Sequence, residues 1–154
     1  MPELTTAKSV LLTDLALCIN RYRLFTPGIY VCLHVPVLLN GCTRIVPGLV
    51  AMVNHGQLKQ CEPVEHGFEG PPNFILDVFE PHEMAEYESR RKIFEDAGVV
   101  EYVAVENADD LILHWNRHDG SRFETAKPDC QRVIKSKALP GLWIPVDALT
   151  ARDW

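Results

Sequence analysis

The sequence predicts an α/β fold built on a mixed central sheet with flanking helices and a C-terminal β-hairpin. Three observations carry this. Two short apolar runs, 73–79 and 99–105, bracket a helical pattern at 83–97, and a strand–helix–strand crossover implies a parallel strand pair. Asn40-Gly41 lies between apolar stretches, the strongest short-range hairpin signal. Asp119-Gly120 repeats that signal between 111–116 and 121–125.

The elements follow in order. Thr5 and Thr6 are cap residues for a first helix running to about residue 23. Helical spacing puts Val10, Leu11, Leu15 and Cys18 on one face, and Thr26-Pro27-Gly28 ends the helix. A strand at 29–39 turns at Asn40-Gly41 into a partner strand at 43–53. Pro36 lacks a backbone donor, which demands an edge position or a bulge there. Residues 54–72 read as a loop rich in Gly, Pro, His and Glu, of a length that marks functional or mobile segments. Pro81 stops the strand at 73–79, and Gly98 fits the position just past the C-terminus of the helix. A strand at 132–135, a tail at 139–144 that packs back and a last helical turn at 146–151 complete the chain.

With 154 residues and 47% hydrophobic composition, one domain spanning 1–154 is expected, with a core large enough to stand without disulfides. No apolar run reaches the roughly 18 residues a membrane span needs. The polar segment 1–8 has no secretory-signal pattern. The five cysteines are odd in number and scattered, which points to reduced thiols and a cytoplasmic location.

A net charge of −6 opposes general affinity for nucleic acid, where phosphate contacts dominate. DNA binding then requires a local basic patch. The candidates are Arg21 with Arg23, and Arg117, Arg122, Arg132, Lys135 and Lys137; taken singly, each also fits a solvated surface.

The chemistry concentrates around Asp77. It interrupts the apolar run Phe74-Ile75-Leu76-Asp77-Val78-Phe79, and burying a carboxylate is costly unless it is paired or holds a metal. Alternation places it on the same strand face as Asn73 and Ile75. In the following helix, Glu83, Glu86, Arg90, Ile93, Phe94 and Ala97 share one side, while Glu88, Arg91, Lys92, Glu95 and Asp96 take the other. A core face that begins with charges implies a polar pocket at one end of the sheet, where Asp77, Glu80, Glu83, Glu86 and Arg90 converge. Such a cluster suits Mg²⁺ or Mn²⁺ chemistry on phosphodiesters. It equally suits a buried Asp77–Arg90 ion pair without catalysis, and the residue types alone favour the ion pair.

The stretch Gly70-Pro-Pro-Asn-Phe-Ile-Leu-Asp-Val-Phe-Glu-Pro81, followed by Arg90-Arg-Lys-Ile-Phe-Glu-Asp-Ala-Gly-Val-Val-Glu-Tyr-Val-Ala-Val105 and Leu139-Pro-Gly-Leu142, resembles the Uma-type restriction endonuclease family of the PD-(D/E)XK nuclease superfamily. The A-G-V-x-E-Y match is the most specific part. The family's opening E-L-I-D-G-E segment has no counterpart here. The resemblance implies a restriction-endonuclease-like core of αβββαβ order with the hairpin appended. It implies a Mg²⁺- or Mn²⁺-dependent DNA endonuclease, and a homo-oligomer, a dimer, is expected of it.

Carried over by position, Asp77 matches the family's strand Glu, Glu86 its helix Asp and Arg90 its helix Lys. Gly48 stands where the family places a metal-binding Asp. The catalytic candidates are thus Asp77, Glu86 and Arg90, and the metal candidates Asp77 with Glu80, the latter supplying the missing carboxylate from the strand end. Arg90 can grip a phosphate but cannot deprotonate water. Two functions follow: a metal-dependent endonuclease of weak or lost activity, or a nuclease-fold protein that binds nucleic acid or protein without catalysis.

Weaker signals lie elsewhere. Cys61, His55 and His66 share the long loop but lack the paired spacing of a zinc site. His114 and His118 read as surface residues flanking the second turn. Trp115, Trp143 and Trp154 read as core or interface anchors.

Overall fold

A computed structural model of the chain describes residues 4–153. In chain order its elements are α1 (Thr6–Leu24), β1 (Ile29–Leu33), β2 (Val37–Leu39), β3 (Thr43–Ile45), β4 (Leu49–Val53), β5 (Glu62–Val64), β6 (Gly67–Glu69), β7 (Phe74–Phe79), α2 (Met84–Ala97), β8 (Glu101–Glu106), β9 (Ile112–His118), β10 (Phe123–Thr125), β11 (Val133–Lys135), β12 (Trp143–Pro145) and α3 (Val146–Thr150). The central sheet has six strands in the order β1-β4-β7-β8-β9-β10. It is mixed: β7 and β8 run parallel across the α2 crossover, and every other pair is antiparallel. A four-stranded sheet, β3-β2-β6-β5, packs beside it, and β11 with β12 forms a C-terminal hairpin. The α/β class and the mixed sheet agree with the sequence pattern, and the hairpin expected around Asp119-Gly120 is β9–β10 at the edge of the central sheet, while the tail expected at 139–144 contributes to β12, paired with β11.

The differences have local causes. The strand expected at 29–39 breaks at His34, whose φ of 50° is left-handed, and at Pro36, which has no amide to donate. The two halves then join different sheets. The 54–72 loop contains the β5–β6 hairpin, which extends the smaller sheet. Its charged, proline-bearing strand β5 is fully exposed, so no apolar alternation announced it. At Asn40-Gly41 both residues have positive φ, 49° and 71°, as a primed two-residue turn requires.

Each face of the central sheet carries its own core. On one, α1 buries Leu11, Leu12, Leu15, Ala16 and Ile19 against Leu49, Ala51, Phe74, Leu76, Val103 and Trp115, and the C-terminal tail adds Leu139, Leu142 and Leu149. Val10, expected on this face, is instead 57% exposed; the buried stripe is rotated by about one residue. On the other face, α2 sets Tyr87, Phe94 and Ala97 against Ile75, Phe79, Tyr102 and Ala104. Each large apolar side chain fully buried in these cores contributes roughly 1.5–3 kcal/mol. Strand alternation in β7 sends Phe74, Leu76 and Val78 to α1, and Ile75, Asp77 and Phe79 to α2. Trp115 is buried and Trp143 is 61% exposed; Trp154 lies outside the described residues.

Candidate functional site

Asp77 sits in the middle of β7, opposite Ala104 of β8, with its side chain turned to α2 and 5% of the residue exposed. Both of its carboxylate oxygens accept hydrogen bonds from the protein. Gly48 N–H donates to Oδ1 at 2.6 Å, and Arg90 Nη1 and Tyr102 OH each donate to Oδ2 at 3.2 Å. Burial pushes the Asp77 carboxyl above the ordinary carboxylate range, against the opposing pull of Arg90, Gly48 and Tyr102. Burial also disfavours a charged Arg90, but Asp77 and Glu86 more than reverse that, so the guanidinium stays protonated. Burial, reinforced by the adjacent Asp77, raises the Tyr102 phenol well above its usual value and keeps it a donor.

Arg90 ties three elements together. Its Nη1 also reaches Val46 O at 3.2 Å, and its Nε bonds Glu86 one turn earlier at 3.0 Å. Nη2 donates to none of the described residues. The sequence-level cluster of Asp77, Glu86 and Arg90 is therefore assembled in space.

Glu80 and Glu83 turn elsewhere, contrary to the expected convergence. Glu80 caps the turn before α2 and takes bonds from Asn107 and Thr5. Glu83 pairs with Lys8 at 2.6 Å and accepts from Glu80 N–H at 2.8 Å. Burial pushes the Glu83 carboxyl up, but the Glu80 amide and Lys8 outweigh it and hold it below the ordinary glutamate range. The reason is geometric. Asp77 is in mid-strand, whereas Glu80 and Glu83 lie past the strand end, where α1's first turn passes.

Asp77 and Arg90 border a cleft of about 420 Å³ whose lining also includes Lys8, Leu12, His34 and Gly48 but not Glu80, Glu83 or Glu86. Lys8 and Tyr102 were not apparent from the sequence. Lys8 had a usable signal, because it heads the stripe Lys8, Leu12, Leu15, Ile19 at helical spacing and is 3% exposed. Tyr102 had none, since its meeting with Asp77 depends on the parallel register of β7 and β8.

The residues do not fit a divalent metal. Both Asp77 oxygens already accept protein hydrogen bonds, and a guanidinium occupies the approach a cation would take. Among the described residues no group of three or more His, Cys, Asp or Glu side chains comes together as a metal site. Gly48 offers no carboxylate, and a Cβ built on it lies 3.1 Å from Leu76 O and 3.3 Å from both Leu12 δ-methyls. Leu12 has closed over the space that a longer side chain at 48 would need.

The proposed nucleic-acid contacts are dispersed. Arg21 and Arg23 lie in the last turn of α1, Arg23 bonding Asn20. Arg122 is exposed, 3.8 Å from Glu124. Arg117 is not a free surface cation: it pairs with buried Glu101 at 2.8 Å and donates to Lys135 O at 2.7 Å. Nor is the second side of α2 wholly solvated. Arg91 bonds Asn116, and Glu95 accepts from Phe123 N–H, because β9 and β10 curl over that side. Lys92 is exposed and paired with Glu95 and Asp96. His114 contacts Glu106 and His118 contacts Glu95 O, so both are half-buried links rather than bare surface groups.

No family model matches the sequence, and no curated protein matches it significantly. Among solved structures, one from Anabaena variabilis ATCC 29413, described as a "putative nuclease belonging to DUF820", matches with a TM-score of 0.71 at 11% identity. The match covers 99% of this chain and 85% of that one. None of the described helices is long and apolar enough to cross a membrane. The similarity is one of fold: the chain shares the α/β fold of that structure.

Proposed function

We propose that this chain is a nuclease-fold protein that engages nucleic acid without metal-dependent hydrolysis. One observation carries the reading: the Arg90 guanidinium stands against Asp77 where a catalytic cation would have to stand, and both carboxylate oxygens are engaged, by Gly48 at Oδ1 and by Arg90 and Tyr102 at Oδ2. A metal-dependent phosphodiesterase of the PD-(D/E)XK type needs carboxylate oxygens free to hold its Mg²⁺ or Mn²⁺ and a group that can orient or deprotonate water. Arg90 stays charged, so it serves as a hydrogen-bond donor to phosphate and not as a base. Its Nη2 is the unbonded edge, and phosphate oxygens are its natural acceptors.

A specific observation favours the other reading, a divalent-metal-dependent DNA endonuclease. Asp77 and Glu86 both keep carboxylates that meet at Arg90. That reading requires Arg90 to leave Asp77 when metal and DNA bind.

The deciding experiment pairs fluorescence anisotropy on labelled single- and double-stranded oligonucleotides with cleavage assays in Mg²⁺ and Mn²⁺. Salt-sensitive binding without cleavage, weakened by Arg90→Gln, is the expected result. Cleavage that requires metal and disappears in Asp77→Ala overturns it in favour of the enzyme. Absence of binding in both formats overturns the nucleic-acid assignment.

A further inference from the structure

We propose that the outward side of α1 is the interface for a second copy of this chain, packed antiparallel about a two-fold axis at Leu17. α1 buries one side on the central sheet, and a helix that met only water on its other side would be polar there. That side is apolar instead. Val10, Leu17 and Leu24 are 57%, 70% and 71% exposed and follow one another at seven-residue spacing. Seven residues return a helix to within about 20° of the same direction. The three side chains therefore form one stripe, opposite the buried stripe of Leu12, Leu15 and Ile19. No charged residue falls on its midline, and Phe25, 82% exposed, continues it past the helix end. The outer side of α2 shows the contrast, since it exposes Glu88, Lys92 and Asp96. A contiguous exposed apolar patch marks an interaction surface.

The charges beside the stripe select its occupant. By helical geometry Asp14 and Arg21 lie about 60° and 40° to one side of Leu17, while Thr13 and Asn20 lie to the other. Neither Asp14 nor Arg21 takes part in an ion pair among the described residues. In an antiparallel pair related by a two-fold axis, like flanks of the two helices face each other, and every contact occurs twice. With Leu17 on the axis, Val10 meets the partner's Leu24. Asp14 then lies within one residue's rise, about 1.5 Å along the helix, of the partner's Arg21. Two ion pairs thus flank an apolar seam. A parallel pair would set Asp14 and Arg21 against Thr13 and Asn20 and leave all four charges unmatched. The surface shares no residue with the lining of the Asp77–Arg90 cleft and stands independently of the proposed function.

The test is sedimentation equilibrium of the full chain, with circular dichroism to check that each variant is folded. The wild-type chain should sediment as a reversible dimer. Leu17→Lys puts like charges together on the axis and should weaken association at least about thirtyfold, with the circular dichroism spectrum unchanged because Leu17 is exposed in the single chain. Arg21→Asp and Asp14→Arg each place like charges across the seam and should weaken self-association about tenfold. Mixed in equal amounts, those two variants should form a heterodimer with affinity near that of wild type, since every Asp then faces an Arg. The double variant Asp14→Arg/Arg21→Asp should likewise regain wild-type association. Rescue by mixing separates a lost contact from a lost fold. A chain that stays monomeric up to the millimolar range overturns the proposal. A dimer untouched by Leu17→Lys assigns the association to another surface and overturns it equally. So does a dimer that Leu17→Lys dissociates but in which mixing the charge variants rescues nothing, because the helices are then not antiparallel.

Discussion

Arg90 Nη1 lies 3.2 Å from Asp77 Oδ2, with both side chains less than 10% exposed, and this pair holds α2 onto the middle of the central sheet. Removing one partner of a buried pair leaves the other charged and desolvated, at a cost of about 3–5 kcal/mol. Arg90→Met and Asp77→Leu should each lose stability on that scale in urea denaturation. The double variant, with no charge left to bury, should be more stable than either single one. A double variant whose loss equals the sum of the singles would show that the two residues do not act as a pair.

The second prediction concerns acid. Glu83 has a pKa lowered in the folded protein, with Lys8 and the Glu80 amide overcoming burial. A depressed carboxylate contributes stability that is full above its unfolded value, near 4.5, and that fades as pH falls through the lowered folded value. Thermal melts of wild type and Glu83→Gln should therefore differ at pH 7 and converge as pH drops below about 4.5. A gap that stays constant down to pH 3 would mean the contact with Lys8 is not the source. The exposed Asp119, lowered to about 2 by the Arg122 and Ser121 amides, marks the lower end of the same acid limb.

A third prediction follows from Glu101, fully buried in β8. It accepts from Ser136 Oγ, the amides of Lys137 and Ala138, and Arg117, so one side chain anchors the loop that connects β11 to β12 within the C-terminal hairpin. Glu101→Ala should cost at least about 3 kcal/mol, because four donors lose their acceptor at once. Hydrogen exchange should localise the effect, with amides of β11 and β12 exchanging faster and those of β4 unchanged. Uniform acceleration across the chain would refute a local anchor.

These residues also show how far the sequence could be read. Asp77 was legible because a carboxylate inside an apolar strand has few physical excuses, and Arg90 because helical spacing put it on the same face as Phe94. The strand–helix–strand unit was legible for the same reason, since each element carries its own period. Partners set by register were not. Tyr102 meets Asp77 only through the β7–β8 alignment, and Glu101 meets Ser136 across 35 residues. Arg117 looked like a surface cation because nothing local reveals that Glu101 sits opposite it in the sheet. The β5–β6 hairpin escaped because its outer strand is solvent-exposed throughout and carries no apolar alternation.

The last prediction bears on whether the site can be returned to a metal-binding form by one change. Gly48→Asp would place a carboxylate beside Asp77, but its Cβ would meet Leu76 O at 3.1 Å and both Leu12 methyls at 3.3 Å. The backbone oxygen is fixed by the β4–β7 pairing, so Leu12 and α1 must yield, at a cost typical of overpacking, about 1–3 kcal/mol. The added anion would also compete with Asp77 for the Gly48 amide and for Arg90 rather than find a free cation. Gly48→Asp alone should thus be destabilised and show no saturable Mn²⁺ binding by calorimetry. Adding Leu12→Ala and Arg90→Lys removes the steric block and the competing guanidinium together, and Mn²⁺ binding should emerge only in that triple variant. Binding already present in Gly48→Asp would mean that Arg90 yields its place to metal readily, and that the Asp77 carboxylate is less tightly held than its three bonds imply.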